Sequence, residues 1–335
     1  MAFSLKPLNL KRHLFGTGLA VVGWMTYSYL PKTYGAKFFK TTVLESLPFC
    51  KKAESDPVTK SLINEVIQDI NCHQEVPVRR KGIELFQTNA LLLQDVTFIG
   101  SSRTGAVIAL PIGVRSNAHE VFHYHCTIEN SIDMATFCIL SQAGKKFLIA
   151  REIMYCEDNF LLFRSFVGIA FIGVFSVLMY MINSLLSLRQ QLQFSKLQAK
   201  INQQDILKLF ITESSILNRR KSTIAGAVLL VVCSVFYKLI IAAYSVQSET
   251  DIHNKLANLG PEYITGGKEL YEKMILSNKY QYSMFGDQGY YTKTGEFTQG
   301  KYSIFHQTLP LSEKLGFFLN LDKSQVESSA VSSST

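Results

Sequence analysis

Two long apolar stretches with a basic segment between them dominate the pattern of this chain. Residues 165–188 and 223–246 each comprise 24 residues, and Lys238 is the only charged side chain in either stretch. A helix rises about 1.5 Å per residue, so each stretch can cross a hydrocarbon core of about 30 Å. Core helices of soluble proteins, the alternative, rarely stay uncharged over such a length. The pattern therefore predicts a transmembrane helical hairpin.

A third apolar stretch, residues 14–30, lies close to the N-terminus. Residues 1–44 contain Lys and Arg but no Asp or Glu, a composition typical of mitochondrial targeting. Trp24, Tyr27 and Tyr29 lie at the far end of the stretch, where amphipathic rings favour a membrane interface. We predict an anchor helix here. A secretory signal peptide is the alternative, but no small-x-small cleavage motif follows the apolar residues.

The remaining chain alternates between helical and strand-like patterns. Apolar residues of 57–70 recur at spacings of three and four, and residues 143–157 resume that helical periodicity. Residues 96–100, 106–111 and 121–128 are short, β-prone and bounded by turn-forming residues. We therefore predict an α+β membrane protein, with an N-terminal anchor helix, a transmembrane helical hairpin and a small mixed α/β soluble portion.

These patterns divide the chain into eight predicted segments. In order they are a basic N-terminal segment (1–13), transmembrane helix 1 (14–30), a soluble α+β module (31–160), transmembrane helix 2 (161–188), a basic amphipathic loop (189–222), transmembrane helix 3 (223–246), a helical and turn-rich soluble module (247–322) and a disordered Ser-rich tail (323–335).

The net charge of +8 is unevenly distributed. Segment 189–222 carries seven Lys or Arg against Asp205 and Glu213. By the positive-inside rule this segment and the N-terminus share one side of the membrane, and the two soluble modules share the other. The basic residues form no aromatic-interleaved stripe, so no nucleic-acid partner is expected. The six cysteines form no CxxC pair, which argues against a disulfide scaffold or a zinc finger.

One motif matches a zinc protease literally. His119-Glu120-x-x-His123 is H-E-x-x-H, in which two histidines on one helix face bind zinc and the glutamate acts as a base. The neighbouring residues alternate as in a strand, where His119 and His123 would lie roughly 13 Å apart. His123 and His125 form a weaker metal pair. We expect structural or surface histidines here and no bound cofactor.

A second pattern lies on two other helices. Arg151, Glu152 and Tyr155 come first, two apolar stretches follow, and Glu249 and His253 come after them. The layout is similar to that of integral-membrane gluzincin proteases, but Arg151 and Tyr155 replace both zinc-binding histidines, and a guanidinium cannot ligate Zn²⁺. The resemblance implies an inactive site, in which we expect Arg151 to pair with Glu249 or Glu152 and clamp the helices together. A chance Arg–Glu pair on an amphipathic helix is the alternative.

Residues 147–157 and 262–274 resemble the transmembrane protein 177 family. The more specific motif comprises Gly266, Gly267, Glu269, Tyr271, Glu272 and Lys273. The resemblance covers most of residues 10–310. It implies a non-enzymatic assembly factor of the mitochondrial inner membrane, with members associated with newly made cytochrome c oxidase subunit II and its chaperone.

This resemblance completes a set of expectations about function. The N-terminus and segment 189–222 are expected in the matrix, and the soluble modules in the intermembrane space. The hairpin would pack beside a membrane-inserted client through small residues such as Gly168, Gly173 and Gly226. A zinc-dependent membrane protease using His119, Glu120 and His123 is the alternative function. A transporter is disfavoured because the chain has too few spans.

Overall fold

The fold, taken from a computed structural model, is mostly helical. The structure describes residues 14–24, 51–52, 57–73, 83–87, 97–101, 105–111, 137, 139–158, 160–198, 204–286, 291–297 and 309–332. Its elements in chain order are α1 (Leu14–Trp24), β1 (Lys51–Lys52), α2 (Pro57–His73), β2 (Ile83–Gln87), β3 (Thr97–Ser101), β4 (Gly105–Leu110), α3 (Gln142–Glu157), α4 (Phe160–Gln198), α5 (Gln204–Asn258), α6 (Pro261–Phe285) and α7 (Leu311–Ser332).

The chain divides into two compact units. Met1–Tyr29 and Leu161–Ile241 form the first, which we call the apolar unit. Leu30–Phe160 and Ala242–Thr335 form the second, which we call the mixed unit. Both predicted soluble modules belong to the mixed unit.

Two of the described helices suit a membrane, and most of their apolar residues belong to the apolar unit. Phe163–Gln193 in α4 and Arg220–Asn258 in α5 are long and apolar enough to cross a bilayer, and most of their side chains are not buried by the protein. The second stretch has 39 residues, and about 20 suffice for a crossing. Its apolar part, residues 223–246, is the part that fits a membrane. Helix α1 is shorter, and residues 25–30 of the predicted anchor lie outside the described residues.

Helix extends into much of the segment predicted as a loop. Helix α4 continues to Gln198 and α5 begins at Gln204, so the predicted loop 189–222 is largely helical. The parts of the segment that lie in α4 and α5 contain neither Gly nor Pro, the residues that most disfavour a helix. The Asn218 amide nitrogen donates to the Gln190 side-chain oxygen at 2.9 Å, which ties the two helices together at this end.

A small mixed sheet lies in the mixed unit, with the strand order β1-β2-β4-β3. Strand β4 pairs antiparallel with β3 and parallel with β2, with Phe98 opposite Ile108 and Leu85 opposite Ile108 on its other edge. Two of the three strand segments predicted from the sequence, 96–100 and 106–111, coincide with β3 and β4. The third, 121–128, lies outside the described residues.

Helix α3 lies at the centre of the mixed unit. It packs against α2, α6, β3 and β4, and most of its side chains are buried. The helix begins where the Ser141 hydroxyl accepts a hydrogen bond from the Gly144 amide, an N-cap that satisfies one of its first free donors. Because α3 is surrounded, its charged side chains Lys146, Arg151 and Glu152 are buried with its apolar ones.

The C-terminal part differs from its prediction. Helix α7 continues to Ser332, into the segment 323–335 that was predicted to be disordered. Leu311 and Phe318 lie buried on the same stripe of α7 and anchor its first turns against α6. Once such turns are fixed, each added residue extends the helix at little cost, which accounts for helix in a Ser-rich sequence.

Candidate functional site

Side chains from four helices meet in the core of the mixed unit. Helices α3, α5, α6 and α7 contribute them, and five of the seven are the residues singled out by the gluzincin-like layout. The set, which we call the charge cluster, comprises Arg151, Glu152, Tyr155, Glu249, His253, Tyr271 and Lys314. All are buried except Tyr155, which is half-buried.

Arg151 pairs with its neighbour on the same helix. One terminal guanidinium nitrogen lies 2.6 Å from Glu152 Oε1, and Nε donates to the same oxygen at 2.8 Å. Burial raises the pKa of Glu152, and the positive charges of Arg151 and Lys314 oppose that effect. Arg151 also lies over the Tyr271 ring, 6.0 Å from its centroid. Of the two partners expected from the sequence, Arg151 pairs with Glu152.

Glu249 joins three helices. Tyr155 Oη donates to Glu249 Oε1 at 2.9 Å, Lys314 forms an ion pair with the same oxygen, and the Leu309 amide donates to Oε2 at 2.7 Å. Burial acts to raise the pKa of Glu249, but Lys314 and these hydrogen bonds outweigh burial and lower it. Burial also lowers the pKa of Lys314 against the influence of Glu249. The hydrogen bonds therefore fit an ionised Glu249 carboxylate in contact with an ionised Lys314 ammonium group.

His253 is held neutral beside these charges. Its pKa is lowered to about 3, chiefly by burial, although Glu249 acts to raise it. The Nε2 atom lies 2.7 Å from Tyr271 Oη, and the Arg151 guanidinium lies over the Tyr271 ring, 6.0 Å from its centroid. The imidazole and the phenol share one hydrogen bond between these two atoms.

Stability should therefore fall as the pH is lowered below about 6.5. In the unfolded chain histidine binds a proton below a pH of about 6.5, whereas His253 in the folded chain binds one only near a pKa of about 3. The unfolded state binds more protons in between, so acid favours unfolding. From pH 7.5 to 5.5 the loss from this one group is about 1.4 kcal/mol. Thermal unfolding midpoints of the detergent-solubilised protein across that range would measure it.

The matched control is His73, an exposed histidine at the end of α2. A His253→Gln variant, less stable at neutral pH, should have a flatter dependence of midpoint on pH between 7.5 and 5.5 than the wild type. A His73→Gln variant should keep the wild-type slope. Equal slopes in all three proteins would contradict a neutral, buried His253.

Aromatic rings enclose the charge cluster. The Phe318 ring lies 5.4 Å from His253 and 5.9 Å from Tyr271 between centroids, and Phe147 packs edge-on against both Phe318 and Tyr271. Such a shell excludes water, and in a dry environment a charge without a partner is expensive. Two cations and two carboxylates face one another here, so the cluster is balanced in charge.

Helix α6 carries the motif that resembles the transmembrane protein 177 family, and the glycines of that motif explain how α6 comes so close to α3. A Cβ at Gly266 would overlap the carbonyl oxygen of Ala143, and one at Gly267 would lie 2.9 Å from both Phe147 and Phe318. Gly266 therefore allows backbone-to-backbone contact between α6 and α3, and Gly267 lets the two aromatic rings pack against α6 beside Tyr271. Pro261 begins the helix after Gly260, whose φ of 138° places it where glycine is favoured.

Glu269 and Lys273 of the motif hold the start of α3. Glu269 accepts a hydrogen bond from the Ser141 amide at 2.9 Å and another from its hydroxyl, and it pairs with Lys273 at 2.7 Å. Lys273 also donates to the Ile139 carbonyl. Glu272 lies half-buried on the same helix. The motif is thus mainly a packing device that sets the position of α3 and, with it, Arg151.

Sequence reasoning missed Lys314. Its side chain lies on the buried stripe of α7, between Leu311 and Phe318 in the series of three- and four-residue steps. A lysine inside an apolar helical stripe is the signal that would have found it, because such a charge needs a buried partner. Its partner Glu249 could be inferred only after the helices were packed.

The charge cluster lacks the chemistry of a metal site. Arg151 and Lys314 cannot ligate a cation, and their charges would repel one. Among the described residues no group of three or more His, Cys, Asp and Glu side chains is placed to hold a metal ion. His119, Glu120, His123 and His125 all lie outside the described residues, so their predicted roles stay predictions.

Three cysteines fall in the described part of the chain, and none of them is in a disulfide. Cys72 is exposed, Cys233 is half-buried and Cys156 is buried. Burial, followed by the charges of Glu152 and Glu157, raises the pKa of the Cys156 thiol. A buried thiol with a raised pKa is unreactive, so Cys156 acts as a packing residue.

No family model, curated protein sequence or solved structure matches this chain.

Proposed function

We propose that the protein is a non-enzymatic assembly factor of the mitochondrial inner membrane that stabilises newly made cytochrome c oxidase subunit II and its chaperone. The charge cluster carries the non-enzymatic part of this proposal. Arg151 and Tyr155 stand where a gluzincin needs two histidines, and the carboxylates that would serve zinc chemistry are engaged with Arg151, Tyr155 and Lys314. A site filled in this way supports a structural clamp and an inactive relative of membrane proteases.

The identity of the client rests on the resemblance to the transmembrane protein 177 family. In this proposal the fold is an α+β membrane protein with α1 as part of an anchor helix. The N-terminus and segment 189–222 lie in the matrix, and the mixed unit lies in the intermembrane space. Two helices suited to a bilayer and the acid-poor N-terminal residues support this placement.

Contacts within the apolar unit limit the surfaces on which a client helix could pack. Of the three glycines expected to receive it, Gly168 faces Trp24 and Gly226 faces Met179, so both are already in use within the unit. A Cβ at Gly173 would meet nothing within 4 Å. We place the client contact on the face of α4 around Gly173, since a small residue lets a second helix approach closely.

A pull-down after pulse-labelling of mitochondrial translation tests the proposal. The tagged full chain, solubilised gently, should recover labelled oxidase subunit II in preference to other labelled products. A Gly173→Leu variant should recover several-fold less. The matched control is Gly18→Leu in α1, which also adds a side chain in open space.

Two results would overturn the proposal. Recovery of no labelled product, together with zinc in the purified protein, would favour the protease alternative at His119, Glu120 and His123. Recovery of no labelled product and no zinc would reject both functions. Equal recovery by the Gly173→Leu variant and the wild type would move the contact away from that face of α4.

A further inference from the structure

A cavity of about 760 Å³ lies inside the apolar unit, between α1, α4 and α5. This size falls in the range of about 300–1,000 Å³ that small-molecule sites occupy. Apolar side chains form most of its wall, and its Ser and Thr hydroxyl groups are already hydrogen-bonded: Thr17 donates to Ser176 at 2.8 Å, and Ser234 donates to the Leu230 carbonyl at 2.7 Å. The depth of the cavity therefore suits a hydrocarbon rather than a polar ligand.

The cavity runs along one half of the apolar segments. Met179 and Leu230 line it near the middle of residues 165–188 and 223–246, whereas Gly168 and Lys238 line it nearer the opposite ends of these antiparallel stretches. Helix α1 also lines the cavity. From Leu14 to Trp24 it is about 15 Å long, half the thickness of a hydrocarbon core. In a bilayer the cavity would thus extend from the midplane towards one interface.

Polar and aromatic groups gather at the interface end. Trp24 packs edge-on against Tyr237 at 5.6 Å between centroids, and Tyr237 packs likewise against Phe171 at 6.0 Å. The Tyr237 hydroxyl is buried and has no hydrogen-bond partner among the described residues. Lys238 follows it on α5 and also lines the cavity. This end therefore offers one hydroxyl and one ammonium group to a ligand.

Lys238 carries a positive charge that its own unit does not balance nearby. The nearest acidic residue of α5 is Glu249, 11 residues further along the helix, and it is already engaged by Lys314 and Tyr155. Towards the start of α5 the nearest is Glu213, 25 residues away, which is about 38 Å along a helix. Residues 165–188 and 223–246 contain no acidic side chain. A cation in an apolar segment favours an anionic partner at the membrane interface.

We propose that this cavity binds one acyl chain of an anionic glycerophospholipid, with the lipid phosphate at Lys238 and the Tyr237 hydroxyl. The chain enters between α1 and the hairpin and ends near Met179. Negative charge on the headgroup complements Lys238, and the phosphate oxygens accept the hydrogen bond that the Tyr237 hydroxyl has free to donate. The inference rests on insertion of the apolar unit in a membrane and is independent of the client protein.

Photo-crosslinking tests the site on the full chain in nanodiscs of phosphatidylcholine. The probe is phosphatidylglycerol with a diazirine near the end of one acyl chain, and the same acyl chain on phosphatidylcholine serves as the neutral probe. The phosphatidylglycerol probe should label peptides containing Met179 and Leu230, and unlabelled phosphatidylglycerol should compete. Labelling only of outward-facing residues such as Val177 and Ile224, equally by both probes, would reveal bulk lipid and overturn the proposal.

Two pairs of variants separate the cavity from the charge. Gly16 lines the cavity and Gly18 does not, and a Cβ at either meets nothing within 4 Å. Gly16→Leu should suppress labelling of the cavity peptides, and Gly18→Leu should not. Lys238→Gln should lower phosphatidylglycerol labelling about fivefold, as one lysine near an anionic surface contributes about 1 kcal/mol. Lys221→Gln, at the other end of the apolar stretch, should leave it unchanged.

Each of these variants can refute the proposal by itself. Unchanged labelling in Gly16→Leu, with wild-type helicity, would exclude the cavity as the binding site. Unchanged labelling in Lys238→Gln would exclude recognition of headgroup charge. If the cavity peptides are protected from both probes in protein taken from native membranes, and remain protected after its lipids are exchanged, a partner helix fills the cavity and the lipid assignment is wrong.

Discussion

An Arg151→Met variant is expected to destabilise the mixed unit by about 3–5 kcal/mol, the usual cost of leaving one member of a buried ion pair without its partner. Glu152 would keep its place in a dry core, 3% exposed, with its closest positive charge removed. Arg151→Glu should be worse, because it sets two carboxylates side by side. The expected readouts are a lower thermal unfolding midpoint in detergent and a shorter half-life of the protein in mitochondria.

Two further variants show whether the cost comes from the pair. Glu152→Met alone should also destabilise, since it leaves Arg151 buried with one partner fewer. The double variant Arg151→Met with Glu152→Met should lose much less than the sum of the two single losses, because an apolar pair needs no charge partner. Lys255→Met removes an exposed cation from α5 and should be nearly neutral. Additive losses in the double variant would contradict a clamp built on the ion pair.

Five of the seven residues of the charge cluster could be singled out from the sequence, because helical spacing is local. Residues 151 and 155 lie four apart on one helix, as do 249 and 253 on another, so each pair shares a face. The sequence could not predict which carboxylate each cation would pair with. That pairing depends on Lys314 of α7. Lys314 forms an ion pair with Glu249, and Arg151 pairs with Glu152.

The sheet was predictable only in part for a similar reason. Strands β3 and β4 are neighbours in sequence and pair antiparallel, so a short β-prone pattern sufficed to find them. Strand β2 pairs parallel with β4 across an intervening strand, and β1 contributes only two residues. Neither pairing has a local turn signal, because parallel strands are joined by long connections.

A Gly266→Ala variant is expected to lower the stability of the mixed unit by about 3 kcal/mol, at the upper end of the usual cost of overpacking a core. The added methyl group would overlap the Ala143 carbonyl oxygen, a backbone atom that cannot rotate away. Helices α3 and α6 would have to separate, and their separation would draw Tyr271 away from Arg151 and His253. Circular dichroism of the detergent-solubilised protein during heating would measure the loss.

The glycines of this chain provide graded controls for that prediction. Gly267→Ala places its methyl group 2.9 Å from two phenylalanine rings, which can shift, so its cost should be smaller than that of Gly266→Ala. Gly316→Ala on α7 meets nothing within 4 Å and should stabilise by up to about 1 kcal/mol through helix propensity. Gly→Ala favours a helix at all three positions. Differences in stability among the three variants therefore report the contact that each added methyl group makes. Equal stabilities at 266 and 316 would show that α3 and α6 do not meet backbone to backbone, and the position of Arg151 would then need another cause.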